Sequence, residues 1–495
     1  MIGFITTEGS IVEQVCALLE ERSVEAYLVG GCVRDWLLGR SSHDFDFAVA
    51  GDAVELARQV ADRMGGAFVL LDEERGTGRA VTRGEDGQRL FIDFARLQGD
   101  DIITDLSRRD FTVNAIAVAV ADTEFRVIDP YDGQHDLQLG LVRAVSLTAF
   151  RDDPLRTLRA VRIAAEMEAR IEQGTEELLR QAVPLITNIS AERVRDEVTK
   201  ILGLSGAAEN LHYLDDLDLL TTIIPELETL KGVEQSEPHY LDAFEHSLDT
   251  VRWLEQVVDA LEGEPAMDSE LSLIRLLLSP FSLQLSAHLS QPISGDRTRL
   301  TLLKLVTLLH DLGKPATKSV DDDGAIHFYG HEQEGAEAAG DILRRLRFGG
   351  NEAALAKTIV ANHMRPCLLA DQEMLTRRAV YRFFRDTGDA GVDTLLLYLA
   401  DHLATWGPEL QMARWRRRVE FVASMLADYY ERHQKVISPP KLINGHDVMA
   451  EFGLEEGPII GQLLEAVREA QAAGEVRTRE ESLTLVKQLL TQQSL

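Results

Sequence analysis

The chain has 495 residues, 45% hydrophobic and 6% aromatic, a length that calls for several domains rather than one core. No run approaches the roughly 18 apolar residues of a membrane span, and the 3 scattered cysteines, Cys16, Cys32 and Cys367, make neither a disulfide framework nor a zinc-ligand spacing. A formal net charge of −31 excludes a generally basic surface, so any nucleic-acid role must rest on the local arginine clusters at 106–111, 155–162, 192–197 and 413–418.

The opening stretch, "MIGFITTEGS", lacks the basic start and apolar run of a signal peptide, and a cytoplasmic location is the expectation. A helix is predicted near 10–22, then the strand "AYLVGG", the helix "VRDWLLG", the strand "DFDFAVA" and a helix over 53–64. Short strands follow around "AFVLL", "RAVTR" and "RLFIDFA"; "RDFTVNAIAVAV" carries a helix or strand, and "FRVIDPYDG" a strand and turn. This alternation predicts an α/β head over residues 1–145. From about 150 strand signals nearly vanish, and "DPLRTLRAVRIAAEM" opens a helical region with Pro154 suited to a first turn. Breaks at 232–242 and 438–446, the latter with paired prolines and Asn-Gly, divide the rest. The predicted parts are a neck and body over 146–235, a histidine-rich helical domain over 236–437 and a helical tail over 438–495. The class is α+β, with an α/β head followed by helical domains.

Within "GGCVRDWLLGRSSHDFDFAVAG", strand alternation puts Asp44 and Asp46 on one face and two phenylalanines on the other. Two like charges so close repel each other, and the arrangement makes sense around a divalent cation. Gly30 and Gly31 let backbone amides approach a phosphate at the start of the next helix, where Arg34 sits in the first turn. Together these parts can hold a triphosphate against Mg²⁺, and Asp93 in "LFIDFA" is a third candidate carboxylate.

This string resembles the active-site signature of the polymerase-beta-like nucleotidyltransferases, in the bacterial class that contains tRNA nucleotidyltransferases (CCA-adding enzymes) and poly(A) polymerases. The likeness continues in order through "RRDFTVNAIA" at 108–117, "DPYDG" at 129–133, "RDDPLRTLRAVRIAA" at 151–165, "AERVRDEVTKIL" at 191–202 and the tail "LINGHDVMAEFGLEEGPIIGQLLEAV". It implies Asp44 and Asp46 as Mg²⁺ ligands with Asp93 beside them. It implies Arg108 and Arg109 toward the triphosphate, Asp110 and Asn114 toward the ribose, and Asp153, Arg156, Arg159 and Arg162 at the nucleotide-reading motif. Members usually carry Glu-Asp-x-x-Arg there, whereas this chain has Asp152-Asp153-Pro154-Leu155-Arg156. Cytosine and adenine both present a donating amine beside an accepting ring nitrogen; uracil and guanine reverse the pattern. A fixed carboxylate and arginine, Asp153 and Arg156 one helical turn apart on one face, match C and A and reject U and G.

A second set comprises His246, adjacent His310 and Asp311 in "HDLGKP", His331, His363 and Asp401. It resembles the HD phosphohydrolase superfamily, which implies a Mn²⁺, Ni²⁺, Co²⁺ or Fe²⁺ class of ion and hydrolysis of phosphate esters, with Lys314 near a phosphate. The implied function is addition or repair of the 3′-terminal CCA of tRNA from CTP and ATP, with tRNA as partner, no membrane, and an attached HD hydrolase. The alternatives are a CC-adding or A-adding specialist, a poly(A) polymerase, or mainly an HD hydrolase. Against poly(A) synthesis, "FIDFARLQGDD" is acidic where those polymerases typically carry arginines. The split activities depend on a flexible loop, read here as "LDEERGTGRAVTR".

Overall fold

The computed structural model describes residues 11–74, 76–84, 87–120, 126–263 and 269–493. The opening stretch "MIGFITTEGS" therefore lies outside the described residues. Two compact units form, one from residues 1–197 with 216–222, the other from 198–215 with 223–495. Among the described residues, no helix is long and apolar enough to cross a membrane.

The first unit opens with α1 (Ile11–Glu21), β1 (Ala26–Val29), α2 (Gly31–Leu37), β2 (Asp44–Val49) and α3 (Ala53–Arg63). It continues with β3 (Ala67–Asp72), β4 (Thr77–Arg83), β5 (Arg89–Arg96), α4 (Ile102–Ser107), β6 (Ala117–Ala119) and β7 (Arg126–Ile128). The strands make one seven-stranded sheet in the order β3-β4-β5-β2-β1-β6-β7. β1 reads Ala-Tyr-Leu-Val and is buried along its length, as a central strand should be. β2 pairs parallel with β5, so Asp46 stands opposite Asp93 and Phe47 opposite Phe94. The two phenylalanine rings stack at 5.2 Å beneath the sheet while the carboxylates share the other face. Asp52 caps α3 through the amide of Glu55, and α3 buries Leu56, Ala57 and Val60. A Cβ at Gly78 would come within 2.8 Å of Ala57 Cβ, so glycine lets α3 lie close on β4.

The strands expected at "AFVLL" and "RAVTR" form, so "LDEERGTGRAVTR", also read as a flexible loop, is mostly strand: β3 and β4 pair antiparallel through it, and Arg75 lies outside the described residues. The neck helix runs Arg156–Met167 and starts two residues after Pro154; a short helix, Ala149–Asp152, precedes it. Strand also persists beyond 140, as a parallel pair Leu141–Val142 with Arg170–Ile171.

The second unit is helical apart from two small hairpins, Pro292–Ser294 with Arg297–Thr298 and Lys318–Val320 with Ile326–Phe328. Its longest helix, Ala243–Glu262, is capped by Asp242 and buries His246 with Leu248, Val251 and Leu254. Near the end of the chain, Ile443, Val448, Ile460, Leu463, Val467 and Val486 form a hydrophobic cluster.

Candidate active sites

The first site lies on the open face of the sheet. Asp46, Asp93 and Arg79 occupy neighbouring registers across β2, β5 and β4. Arg79 grips Asp93 with both arms of its guanidinium, at 2.6 and 2.8 Å. Asp46 has no such partner: desolvation first, then the Asp93 carboxylate and that of Asp44, push it up to about 6, against the pull of Arg109. Gathered carboxylates whose repulsion the protein leaves partly uncompensated fit a hard divalent cation with oxygen ligands.

Gly30 caps β1 at φ +81°, and a Cβ there would stand 3.1 Å from Asp46 Oδ2 and 3.2 Å from an Arg109 nitrogen. Both the backbone angle and the close approach require glycine. Gly31 opens α2 behind it. Arg34 on that helix is buried and turned inward, bonding Asp35 at 2.9 Å and Asn114 at 3.3 Å.

The predicted nucleotide residues divide into two groups. Asp110 is buried and accepts from the Phe111 amide, from Asn114 Nδ2 and from Arg159 at 2.6 and 2.9 Å. Although burial opposes it, the Arg159 guanidinium holds Asp110 below the usual carboxylate range. Arg162 is spent on Glu197 at 2.7 Å and Glu166 at 2.5 Å. These groups brace the site with internal ion pairs.

The other group lines a cavity of about 450 Å³ formed by Gln98, Arg108, Asp152, Asp153, Pro154, Arg156, Ile189 and Arg193. Asp153 and Arg156 do meet there, but not on one helical face. Asp153 is extended, in the break between the two short neck helices, and a turn joins it to Arg156. One Asp153 oxygen accepts from Arg193 at 2.7 Å, and Arg156 donates to the carbonyls of Ala149 and Arg108. The exposed Arg108 side chain has no ion-pair partner among the described residues. Arg109 lies between Asp105, at 3.1 Å, and Asp46. Asp152 turns to Thr148 at 2.8 Å. Sequence reasoning did not single out Arg79, Gln98 or Arg193 individually; Arg193 lies in the recognised 191–202 stretch, whereas nothing local marks Gln98.

The second site is buried. His310 follows helix Arg299–Leu309, His331 opens helix His331–Arg345, His363 follows helix Gly350–Asn362, and Asp401 sits in helix Ala390–Trp406. His310, His331 and His363 each place Nδ1 2.7 Å from the carbonyl three residues earlier. A carbonyl only accepts, so Nδ1 carries the proton and Nε2 presents its lone pair to the centre. Burial first, then His310, push His363 down to about 3 and keep it neutral.

Asp311 occupies the middle. Its Oδ2 is 3.2 Å from His310 Nε2 and 3.6 Å from His246 Nε2; its Oδ1 is 3.5 Å from His331 Nε2 and 3.8 Å from His363 Nε2. Asp401 joins the first pair, 3.0 Å from His246. Two groups of ligand atoms result, His246–His310–Asp311 and Asp311–His331–His363, each within 4.8 Å. Lys314 Nζ lies 2.5 Å from Asp311 Oδ2, an ion pair at the edge of the centre. A buried carboxylate ringed by imidazole Nε2 atoms fits a divalent ion of borderline softness. His239, which sequence reasoning passed over, sets its ring edge-on 5.1 Å from His246.

The pattern described as the Poly A polymerase head domain matches residues 26–143, and that of the probable RNA and SrmB-binding site of polymerase A matches 170–231. The HD domain pattern matches 243–406, and "tRNA nucleotidyltransferase domain 2 putative" matches 337–486. The chain is 36% identical to an A-adding tRNA nucleotidyltransferase of Deinococcus radiodurans, over 93% of this chain and 95% of that one. It is 34% identical to a CC-adding tRNA nucleotidyltransferase of Thermus thermophilus, over 92% of each. A multifunctional CCA protein of Neisseria meningitidis serogroup B is 31% identical over 69% of this chain and 73% of that protein. Among solved structures, a CCA-adding enzyme with CTP shares the fold at a TM-score of 0.62 and 23% identity, covering 98% of this chain and 96% of that one. The nucleotidyltransferase and HD domains both imply use of divalent metal.

Proposed function

The chain belongs to the bacterial tRNA nucleotidyltransferase family, and on that premise we propose that Asp44 and Asp46 hold Mg²⁺ for building or repairing the 3′-terminal CCA of tRNA from CTP and ATP. The observation that carries this reading is the row of Asp46, Asp93 and Arg79 across three strands, with Asp44 two residues before Asp46 on the same face. A cytoplasmic location accompanies it.

In the reaction the terminal hydroxyl of the RNA attacks the α-phosphorus, the bond to the β-phosphate breaks and pyrophosphate leaves. Asp44 and Asp46 would hold Mg²⁺, which would supply charge neutralisation at the phosphates and a more acidic hydroxyl. Arg79 holds the Asp93 carboxylate fixed beside the pair through its two-armed contact. The Gly30–Gly31 turn admits the triphosphate, and Arg108 and Arg109 meet its charge, Arg108 being uncommitted. Asp110, Asn114, Arg159 and Arg162 act from behind, as the network that keeps this wall rigid.

Asp153 and Arg156 read the base from the cavity they share. With a tRNA lacking its CCA and each nucleotide offered singly or in pairs, CMP and AMP are incorporated and UMP and GMP are not; free use of UTP would refute the base-reading assignment. Replacing Arg156 with Ala should raise UTP and GTP use relative to CTP by about tenfold or more, because the mismatched edge no longer faces an arginine donor left unpaired. An unchanged preference with weaker tRNA binding would make Arg156 a backbone contact. A second reading, addition of CC or A alone, is favoured by one observation: relatives matched over more than nine-tenths of this chain carry those names.

For the second unit we infer a phosphohydrolase holding Mn²⁺, Ni²⁺, Co²⁺ or Fe²⁺. Asp311 with His246, His310 and Asp401, and with His331 and His363, would hold the metal. It would supply a water made acidic enough to attack phosphorus, the P–O ester bond breaking as the alcohol leaves. Cleaning a phosphorylated or cyclised RNA end would supply the free hydroxyl that the head requires.

A further inference from the structure

The polar segment 232–242, predicted only as a domain break, is a strap across the HD centre. Gln235 Oε1 accepts from Lys314 Nζ at 2.5 Å, while its Nε2 donates to the Leu241 carbonyl at 3.2 Å. Both ends of the amide are therefore fixed. Ser236 Oγ donates to the carbonyl of Ile326 at 2.7 Å and accepts from its amide at 3.0 Å, pinning the strap to the neighbouring hairpin. That hairpin ends in Phe328, whose ring lies 5.6 Å from Lys314 Nζ and whose carbonyl accepts from His331. His239 donates Nδ1 to the Ser236 carbonyl, and the Thr405 hydroxyl stands 3.4 Å from both His239 Nε2 and Asp401 Oδ1.

Lys314 is buried, and its counter-charge is Asp311. With metal held at this centre, the Asp311 carboxylate would be shared and the ammonium would have positive charge to offer a ligand. Gln235 aims it without cancelling that charge, because an amide is neutral. An acidic residue at 235 would aim Lys314 equally well and abolish its attraction for an anion.

We propose that Gln235 is a positioning residue of the HD centre, holding Lys314 as an extra cation that selects doubly charged phosphate monoesters over singly charged diesters. The inference rests on the hydrolase reading. It names the substrate class: a terminal phosphate, such as one left on an RNA 3′ end, rather than an internal linkage.

The test uses the full chain loaded with Mn²⁺, with p-nitrophenyl phosphate as monoester and bis(p-nitrophenyl) phosphate as diester. Gln235→Glu should raise KM for the monoester about tenfold, the size of one lost charge contact in a partly solvated site. It should leave kcat and bound manganese unchanged and move the diester KM by less than about threefold. Gln235→Asn, too short to reach Lys314, should give a smaller rise of the same sign. Equal shifts for both esters, no shift, or loss of manganese in step with activity would overturn the assignment. If the wild-type chain hydrolyses neither ester, the hydrolase reading fails on its own account. Calorimetric binding of orthophosphate to the manganese-loaded proteins then still decides the role of Gln235: about tenfold weaker in Gln235→Glu supports it, and equal affinity refutes it.

Discussion

Asp46→Ala and Asp44→Ala are each expected to reduce nucleotide addition by a factor of about 10³ or more, the loss of roughly 4 kcal/mol of transition-state stabilisation that a metal held there would supply. Asp46 carries the larger effect, because it stands opposite Asp93 in the ladder and next to Gly30. The fold should survive. Asp46 makes no buried ion pair that the change would orphan, and desolvation and its like-charged neighbours already penalise its ionised form. A thermal melt should show the variant unfolding no earlier than the wild type, while single-turnover extension of tRNA collapses. A variant that still adds nucleotides at near wild-type rate would remove the metal pair from the head.

Asp311→Ala has the larger structural consequence. It deletes the one residue common to both ligand groups, and it leaves the buried Lys314 without its counter-charge. Breaking a buried pair from one side costs about 3–5 kcal/mol. Asp311→Asn should cost less, because it keeps the shape and removes the charge. Both variants are expected to lose at least one bound transition-metal ion per chain by elemental analysis, and all metal-stimulated phosphatase or cyclic phosphodiesterase activity with it. CCA addition should continue, since the two sets of site residues have no member in common. Asp311→Asn retaining full metal content would refute its role in holding the metal; loss of addition alongside hydrolysis would refute the independence of the two sites.

What could be read from the chain follows a physical line. The sequence Asp44-Phe45-Asp46-Phe47 displays its own geometry, since strand alternation is local and needs no partner. The ordered set from His246 to Asp401 is legible for another reason: few chemistries demand those residue types in that order. The residues that went unseen act through distant partners. Gln235 meets Lys314 79 positions away, and Arg193 meets Asp153 across 40. Their meaning exists only once the helices have packed. Arg79 was hidden differently: its strand was expected at "RAVTR", but its grip on Asp93 depends on how that strand pairs with the next one. Asp153 and Arg156 illustrate the intermediate case. Spacing brought them together correctly in number, but the extended backbone at Asp153 replaced one helical face with a turn, and only the shared cavity remains of the expected geometry.

The arginine clusters follow the same division. In a chain of net charge −31, several arginines of the recognised clusters are consumed by carboxylates: Arg159 by Asp110, Arg162 by Glu197 and Glu166, Arg193 by Asp153. Arg108 remains without an ion pair among the described residues. A chain this acidic, with arginines of its clusters already paired, suits binding of one RNA end better than coating of a long duplex.

The measurement that bears most directly on the central claim is a product-length series. The purified chain is incubated with tRNA ending before the CCA, after the first C and after CC, with CTP, ATP or both, and products are resolved to single nucleotides. The account predicts that both nucleotides together bring all three substrates to the same CCA end and no further, that CTP alone stops after CC, and that ATP alone extends only the tRNA ending in CC. A long A tail, or no extension of any of the three, would contradict it.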